Sequence, residues 1–276
     1  MAVLGGAPTD LFSFAIYYYF PAAFTVFVFG CAYRFLRMVA LWRRPVKAEP
    51  RYRGGGASFK GLIKTFLDPI IFSAKHKKWD FVFGLIFLHL LGVIPIIFLL
   101  AQHMAFFAYL IPPYRILWPF ALPLSVTSAT LTITSPLKPV TAMRFTFVNN
   151  FWGPLSVILN GDVLAILAIV GASFKVGTKI YERCVKKLRN ARITDILVYA
   201  LLLEILFTGY LAARHFPTTA AGTNVAVYDT LLGLHVLGAS TLLALLPFTK
   251  YWHFIFGYWY GKLHEWWDLR VQKGAI

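Results

Sequence analysis

Five stretches of this chain are too long and too apolar to sit inside a water-soluble core: residues 12–40, 80–108, 155–177, 194–214 and 228–258. About 20 apolar residues in helical form cross the roughly 30 Å of hydrocarbon in a bilayer, and each stretch reaches that length. Peptide groups find no water there, so each segment must close its own hydrogen bonds, which a helix does. The sequence therefore predicts an all-α membrane protein, a five-transmembrane-helix bundle formed by residues 1–276 as one domain. Hydrophobic residues make up 59% of the chain, above the roughly 45–50% usual for soluble domains. Pro21 and Pro95 lie inside the first two stretches and predict kinks. The first stretch begins near Leu11 behind an acidic Asp10. It lacks the basic leader of a signal peptide and reads as a retained helix.

The net charge is +16. In a soluble protein that excess would suggest nucleic acid; here the charges fall between apolar stretches, and membrane topology accounts for them without a nucleic-acid partner. Cytoplasmic loops carry the excess of Lys and Arg. With five helices and the N-terminus outside, all but Arg115, Lys138, Arg144 and Arg214 of the 27 Lys and Arg fall on the inner side. A sixth helix would destroy that parity. The C-terminus is then inside, 43–79 is a basic inner connection, 111–152 is an external loop, and the protein is multi-pass in the plasma membrane. Prolines at 112, 113, 119, 123 and 136 argue against a regular helix in the external loop, although 116–137 is apolar enough to dip into the membrane. In the inner connection, Ser58–Phe72 places apolar residues at three-to-four spacing around Lys60 and Lys64. This predicts an amphipathic helix on the lipid surface or a docking face for a partner subunit. Gly54-Gly55-Gly56 before it reads as a hinge, since a phosphate loop needs a strand and a Lys-Ser/Thr context.

Four of the seven histidines lie inside apolar stretches: His89 and His103 in the second, His235 and His253 in the fifth. Ionisable side chains in a membrane span are costly and mark function. In a regular helix, 14 residues separate the first pair and 18 the second, so each pair shares a helix face, roughly 21 Å and 27 Å apart along the axis. The two helices run in opposite directions, which puts His89 and His253 near the inner face and His103 and His235 near the outer face. Two facing pairs at two depths suit two six-coordinate haems, because imidazole on both axial positions makes an electron-transfer centre. The two cysteines, Cys31 and Cys184, form no C-x-x-C-H for covalent haem and are too few for an iron–sulfur cluster.

The motif Leu234-His235-Val236-Leu237-Gly238, followed by Pro247-Phe248-Thr249-Lys250-Tyr251-Trp252-His253, resembles the last helix of the gamma subunit of respiratory nitrate reductase. That family is similar to the cytochrome b subunit of heterodisulfide reductase and to membrane subunits of sulfite-reduction complexes and some hydrogenases. Thr194-Asp195-Ile196-Leu197 is a weaker match. The resemblance implies two haem b groups, His89 paired with His253 and His103 with His235, and quinol chemistry at the outer haem. It implies an iron–sulfur partner subunit on the inner face and a catalytic reductase or hydrogenase subunit beyond it. The chain departs from the family in the wider spacing of His89 and His103, in Gln102 where a small residue is usual, and in its longer external loop.

Further candidates surround these positions. Arg34, Arg37 and Lys250 could meet propionates of the inner haem, and Arg115, Lys138 or Gln102 a quinone oxygen or propionate at the outer one. Lipid phosphate is the plain reading for the cations. Glu204 lies within the fourth stretch and reads as a proton relay or the partner of a buried cation. His76, His215 and His264 read as surface residues. Two other function classes fit the composition: a transporter or channel with a histidine-lined path, and a haem-free membrane scaffold. The first usually adds several carboxylates beside its histidines, and here Glu204 is nearly alone. Only the cytochrome reading predicts a reduced b-haem absorbance band.

Overall fold

The computed structural model describes residues 10–42, 59–123, 130–134, 142–146, 152–188, 192–214, 216, 218–219 and 222–262. Among them, five helices are long and apolar enough to cross a membrane: Leu11–Ala40, Asp80–Leu99, Gly161–Val185, Ile193–Ala213 and Val225–Phe248, here the first to fifth spans. Their outer faces carry bare apolar side chains, such as Phe29 at 71% and Leu197 at 60% exposure. A soluble fold would bury such side chains; a membrane-spanning helix presents them to lipid.

Local chemistry sets where the spans begin and bend. Asp10 caps the first span, its carboxylate accepting from the Ser13 amide at 2.7 Å and the Ser13 hydroxyl at 2.9 Å. Ahead of Pro21, residues Ala15–Tyr19 widen to a π-turn, which absorbs the hydrogen bond that proline cannot make. Asn160 is fully buried and caps the third span, accepting from the amides of Asp162 and Val163 at 3.1 Å.

The second and fifth apolar stretches are not continuous helices, which corrects the regular spacing assumed for the histidine pairs. The second span is π-wound over Asp80–Val93 and α-helical over Ile94–Leu99. The chain then extends at Leu100 (φ −63°, ψ 131°) and restarts as the helix Ala101–Leu110. Pro95 lacks an N–H, and the backbone around Leu100 exchanges helical bonds for a bridge to Leu122. The Leu122 amide donates to Leu99 O at 2.7 Å and the Ala101 amide to Leu122 O at 3.1 Å. The fifth stretch is α-helical over Val225–Leu245 and ends in a 3₁₀ turn at Leu246–Phe248. Pro247 disfavours α geometry in the residue before it, Thr249 is extended, and His253 opens a separate π-turn, His253–Gly257.

Within 111–152 the described residues form a 3₁₀ helix at Pro112–Phe120 and an antiparallel hairpin of Thr130–Thr134 with Ala142–Thr146. The 3₁₀ segment folds back on Ala101–Leu110, where Tyr114, Leu117 and Trp118 cover Ala101, Met104 and Ala121. Burial pushes the Tyr114 phenol up, and its hydroxyl donates to Phe98 O at 2.8 Å. Where an interfacial helix was expected over Ser58–Phe72, the chain forms a helix over Phe59–His76, with Phe59, Ile63 and Leu67 exposed. The expectations for Gly54–Gly56, Lys138, His215 and His264 lie outside the described residues.

The chain divides into two compact units, Met1–Tyr17 with Val82–Ala239, and Tyr18–Phe81 with Ser240–Ile276. In the first unit, small residues let helices meet closely, as is usual where no hydrophobic force acts between spans. A Cβ on Gly92 would stand 2.7 Å from that of Ala168, one on Gly171 2.9 Å from that of Leu88, and one on Gly84 2.6 Å from Lys175 Cε. The numbers run in opposite senses, so the second and third spans pack antiparallel. The third span packs along the fourth, with Arg214 paired to Asp162 at 2.7 Å. In the second unit, Gly30 admits Pro247 and Phe248, and Tyr19 bonds to Thr241 at 2.8 Å. Phe66 rests against the rings of Tyr258 and Trp259.

Candidate functional site

His103 stands three residues past the break at Leu100, and the break creates its hydrogen bond. The Leu100 amide donates to Pro95 O at 3.0 Å rather than to Ile96 O. The Ile96 carbonyl, thus released, lies 2.7 Å from His103 Nδ1. His235 faces the fourth span, and its Nδ1 lies 2.8 Å from Ile205 O. Gly209 makes room for this: a Cβ there would stand 2.7 Å from both Nδ1 and Cε1 of the His235 ring. A carbonyl can only accept, so Nδ1 carries the proton in both rings, and each neutral imidazole keeps its lone pair on Nε2. Among the described residues neither Nε2 has a hydrogen-bond partner.

The rings of His103 and His235 are parallel to within 4°, with centroids 6.2 Å apart. That is too far for face contact. Two imidazoles on opposite sides of one metal ion, each with Nε2 on the line to it, would have the same centroid separation: about 2.0 Å of metal–nitrogen bond and about 1.1 Å from nitrogen to ring centre, counted twice, is about 6.2 Å. Fixing Nδ1–H to a backbone carbonyl is how ligating histidines are oriented. The donor set fits a bis-imidazole haem. Such a site needs only two protein ligands, and among the described residues no group of three or more His, Cys, Asp or Glu is gathered as for a protein-ligated ion.

Two buried polar atoms flank the pair without partners among the described residues: Gln102 Oε1, next to His103, and Glu204 Oε2. Glu204 lies on the turn of the fourth span that holds His235. Its carboxyl packs against Gly238, one turn beyond His235, and the Thr208 hydroxyl donates to its backbone carbonyl at 2.8 Å. Each atom is a polar group that an apolar neighbour would not satisfy.

The remaining predicted ligands share the same chemistry individually. His89 Nδ1 lies 2.6 Å from Gly84 O, and His253 Nδ1 lies 2.8 Å from Lys250 O. In all four histidines Nδ1 thus faces a backbone carbonyl. Arg34 donates through Nε to Pro247 O at 2.6 Å. Arg37 and Lys250 are exposed. Arg115 lies 5.6 Å over the Trp118 ring, and His76 is exposed beside Phe72.

The sequence does not single out Gly209. It is a small residue in an apolar helix, a pattern that signals close packing without saying what is packed. No family model, curated protein or solved structure matches the chain.

Proposed function

We propose that the protein is a dihaem b-type cytochrome, the membrane-anchor subunit of a respiratory oxidoreductase. It exchanges electrons between a membrane quinone or quinol and an iron–sulfur partner subunit. The observation that carries this reading is the His103–His235 pair, parallel to within 4° with centroids 6.2 Å apart, the separation that one shared metal ion would give. His89 and His253, each with Nδ1 tied to a carbonyl, are the ligands assigned to the second haem, as in the nitrate reductase gamma family that the sequence resembles.

Haem held by two histidines would supply one-electron transfer without an open site for substrate. The work of the chain is to hold and tune. His103 and His235 fix ring orientation through the carbonyls of Ile96 and Ile205, so little reorganisation accompanies a change of charge between them. Gln102 and Arg115 offer hydrogen bonds to a quinone oxygen, and Glu204 offers a carboxyl to carry a proton away. The basic connection 43–79, on the inner side with the C-terminus, is the docking face for the iron–sulfur subunit. A catalytic reductase or hydrogenase subunit beyond it meets the terminal substrate.

Absorbance tests the reading. Detergent-purified protein, reduced with dithionite, should show the sharp α-band of a low-spin b-haem in a reduced-minus-oxidised spectrum. A flat difference spectrum from protein expressed with ample haem would favour a transporter or a scaffold.

A further inference from the structure

The helix Phe59–His76 packs by one side only. Within its unit of the chain, Thr65 is buried, and Phe66 lies against the rings of Tyr258 and Trp259 at 6.0 and 5.6 Å between centroids. At about 100° per residue, Phe59, Ile63, Leu67, Ile70 and Ile71 fall within an arc of about 120° beside Phe66. All of them are exposed, Phe59 at 74%. Lys64 and Lys75 stand just beyond the edge of this stripe, exposed as well, and Asp68, the one acidic residue of the helix, lies farther round. The helix is also tied to a membrane crossing. After His76 come only Lys77, Lys78 and Trp79 before the second span opens at Asp80, a link that reaches at most about 14 Å. Lys77, Lys78 and Trp79 are exposed, and these are side chains that belong at headgroup level.

We propose that the apolar stripe of Phe59–His76 is seated in the surface of a membrane that carries anionic headgroups. The inference stands apart from the dihaem reading and needs no haem. A contiguous bare apolar stripe is costly in water, and so short a link to a span keeps lipid within its reach. Seated at the boundary between headgroups and acyl chains, the stripe leaves water, while Lys64 and Lys75 extend from its edge to the lipid phosphates. Lys77 and Lys78 continue the row, and from Phe59 to Trp79 only Asp68 opposes these lysines. That excess of positive charge matches a negatively charged leaflet rather than a zwitterionic one. The side that carries Asp68 faces the water, where a partner subunit would dock.

Spin labels on the full-length protein test this, in a Cys31→Ser, Cys184→Ser background and in vesicles of phosphatidylcholine with phosphatidylglycerol. A label at Ile63→Cys, or at Ile70→Cys should the first not be recovered folded, should relax with oxygen, which concentrates in lipid, and be shielded from a neutral, water-soluble nickel chelate. A label at Asp68→Cys should show the reverse. Lys64→Gln combined with Lys75→Gln, or vesicles of phosphatidylcholine alone, should raise the nickel accessibility of the stripe label several-fold. Nickel access to the stripe equal to that at Asp68 would overturn the proposal and leave the stripe to a partner protein. So would shielding from both reagents, the mark of a second copy of the chain seated on it, and so would a label depth indifferent to both the lysines and the lipid charge.

Discussion

The imidazoles of His103 and His235 lie parallel to within 4° at a centroid distance of 6.2 Å, although 132 residues separate them in sequence. Each is held by a carbonyl of a different helix, Ile96 O and Ile205 O. Two independent hydrogen bonds thus fix both rings of the proposed ligand pair.

Gly209 sets the position of the His235 ring. Gly209→Ala introduces a methyl 2.7 Å from two ring atoms, closer than atoms approach without one of them moving. The expected outcome is loss or broadening of one of the two haem components, with the other unchanged. Low-temperature spectra, which resolve individual b-haem bands, measure it. Gly177→Ala is the matched control, because nothing lies within 4 Å of a Cβ there.

Gly171 tests the packing of the second and third spans. Gly171→Val places branched carbons against Phe83 O and Leu88, and overpacking of this kind costs about 1–3 kcal/mol. A lower thermal midpoint in detergent is expected for Gly171→Val. Gly177→Ala should match or slightly exceed wild type, since alanine is the better helix former by up to about 1 kcal/mol. Equal midpoints for the two variants would contradict this register.

Cys184 reports topology. It is a free, exposed thiol at the end of the third span, on the inner side if the N-terminus is outside. In a Cys31→Ser background, a membrane-impermeant maleimide should label Cys184 in inverted vesicles and spare it in intact cells. A cysteine placed at Ile116, 81% exposed, should show the reverse. Labelling of both from one side would contradict the five-span orientation.

Glu204 offers the proton carrier. Glu204→Gln keeps the shape and removes the acid, so both haems and their spectra should persist while quinol-driven reduction slows, on the order of 100-fold if the carboxyl acts as a general base. Loss of haem in this variant would assign Glu204 a structural role instead.

The five spans were legible because their length and apolarity are set by the bilayer, whatever they pack against. The four histidines were legible for the same reason, as polar groups where polar groups are costly. The breaks at Leu100 and Thr249 were not. Pro95 and Pro247 were visible in the sequence, but proline only removes a hydrogen bond. Whether the chain kinks or stops depends on what replaces that bond, and at Leu100 the replacement is Leu122, supplied by a segment that the sequence suggested only as a loop. The face-sharing argument for His89 and His103 assumed regular α-winding across a π-wound, broken segment. His103 meets His235 because the break frees Ile96 O, a consequence that spacing alone does not contain.

The haem content of the purified protein tests the central claim most directly. Pyridine haemochrome analysis against chain concentration should give two haems per chain for wild type. His103→Ala and His235→Ala should each give one, with the same component missing from both. A wild-type ratio near zero, or single variants that keep both haems, would contradict the assignment of His103 and His235 as the two ligands of one haem.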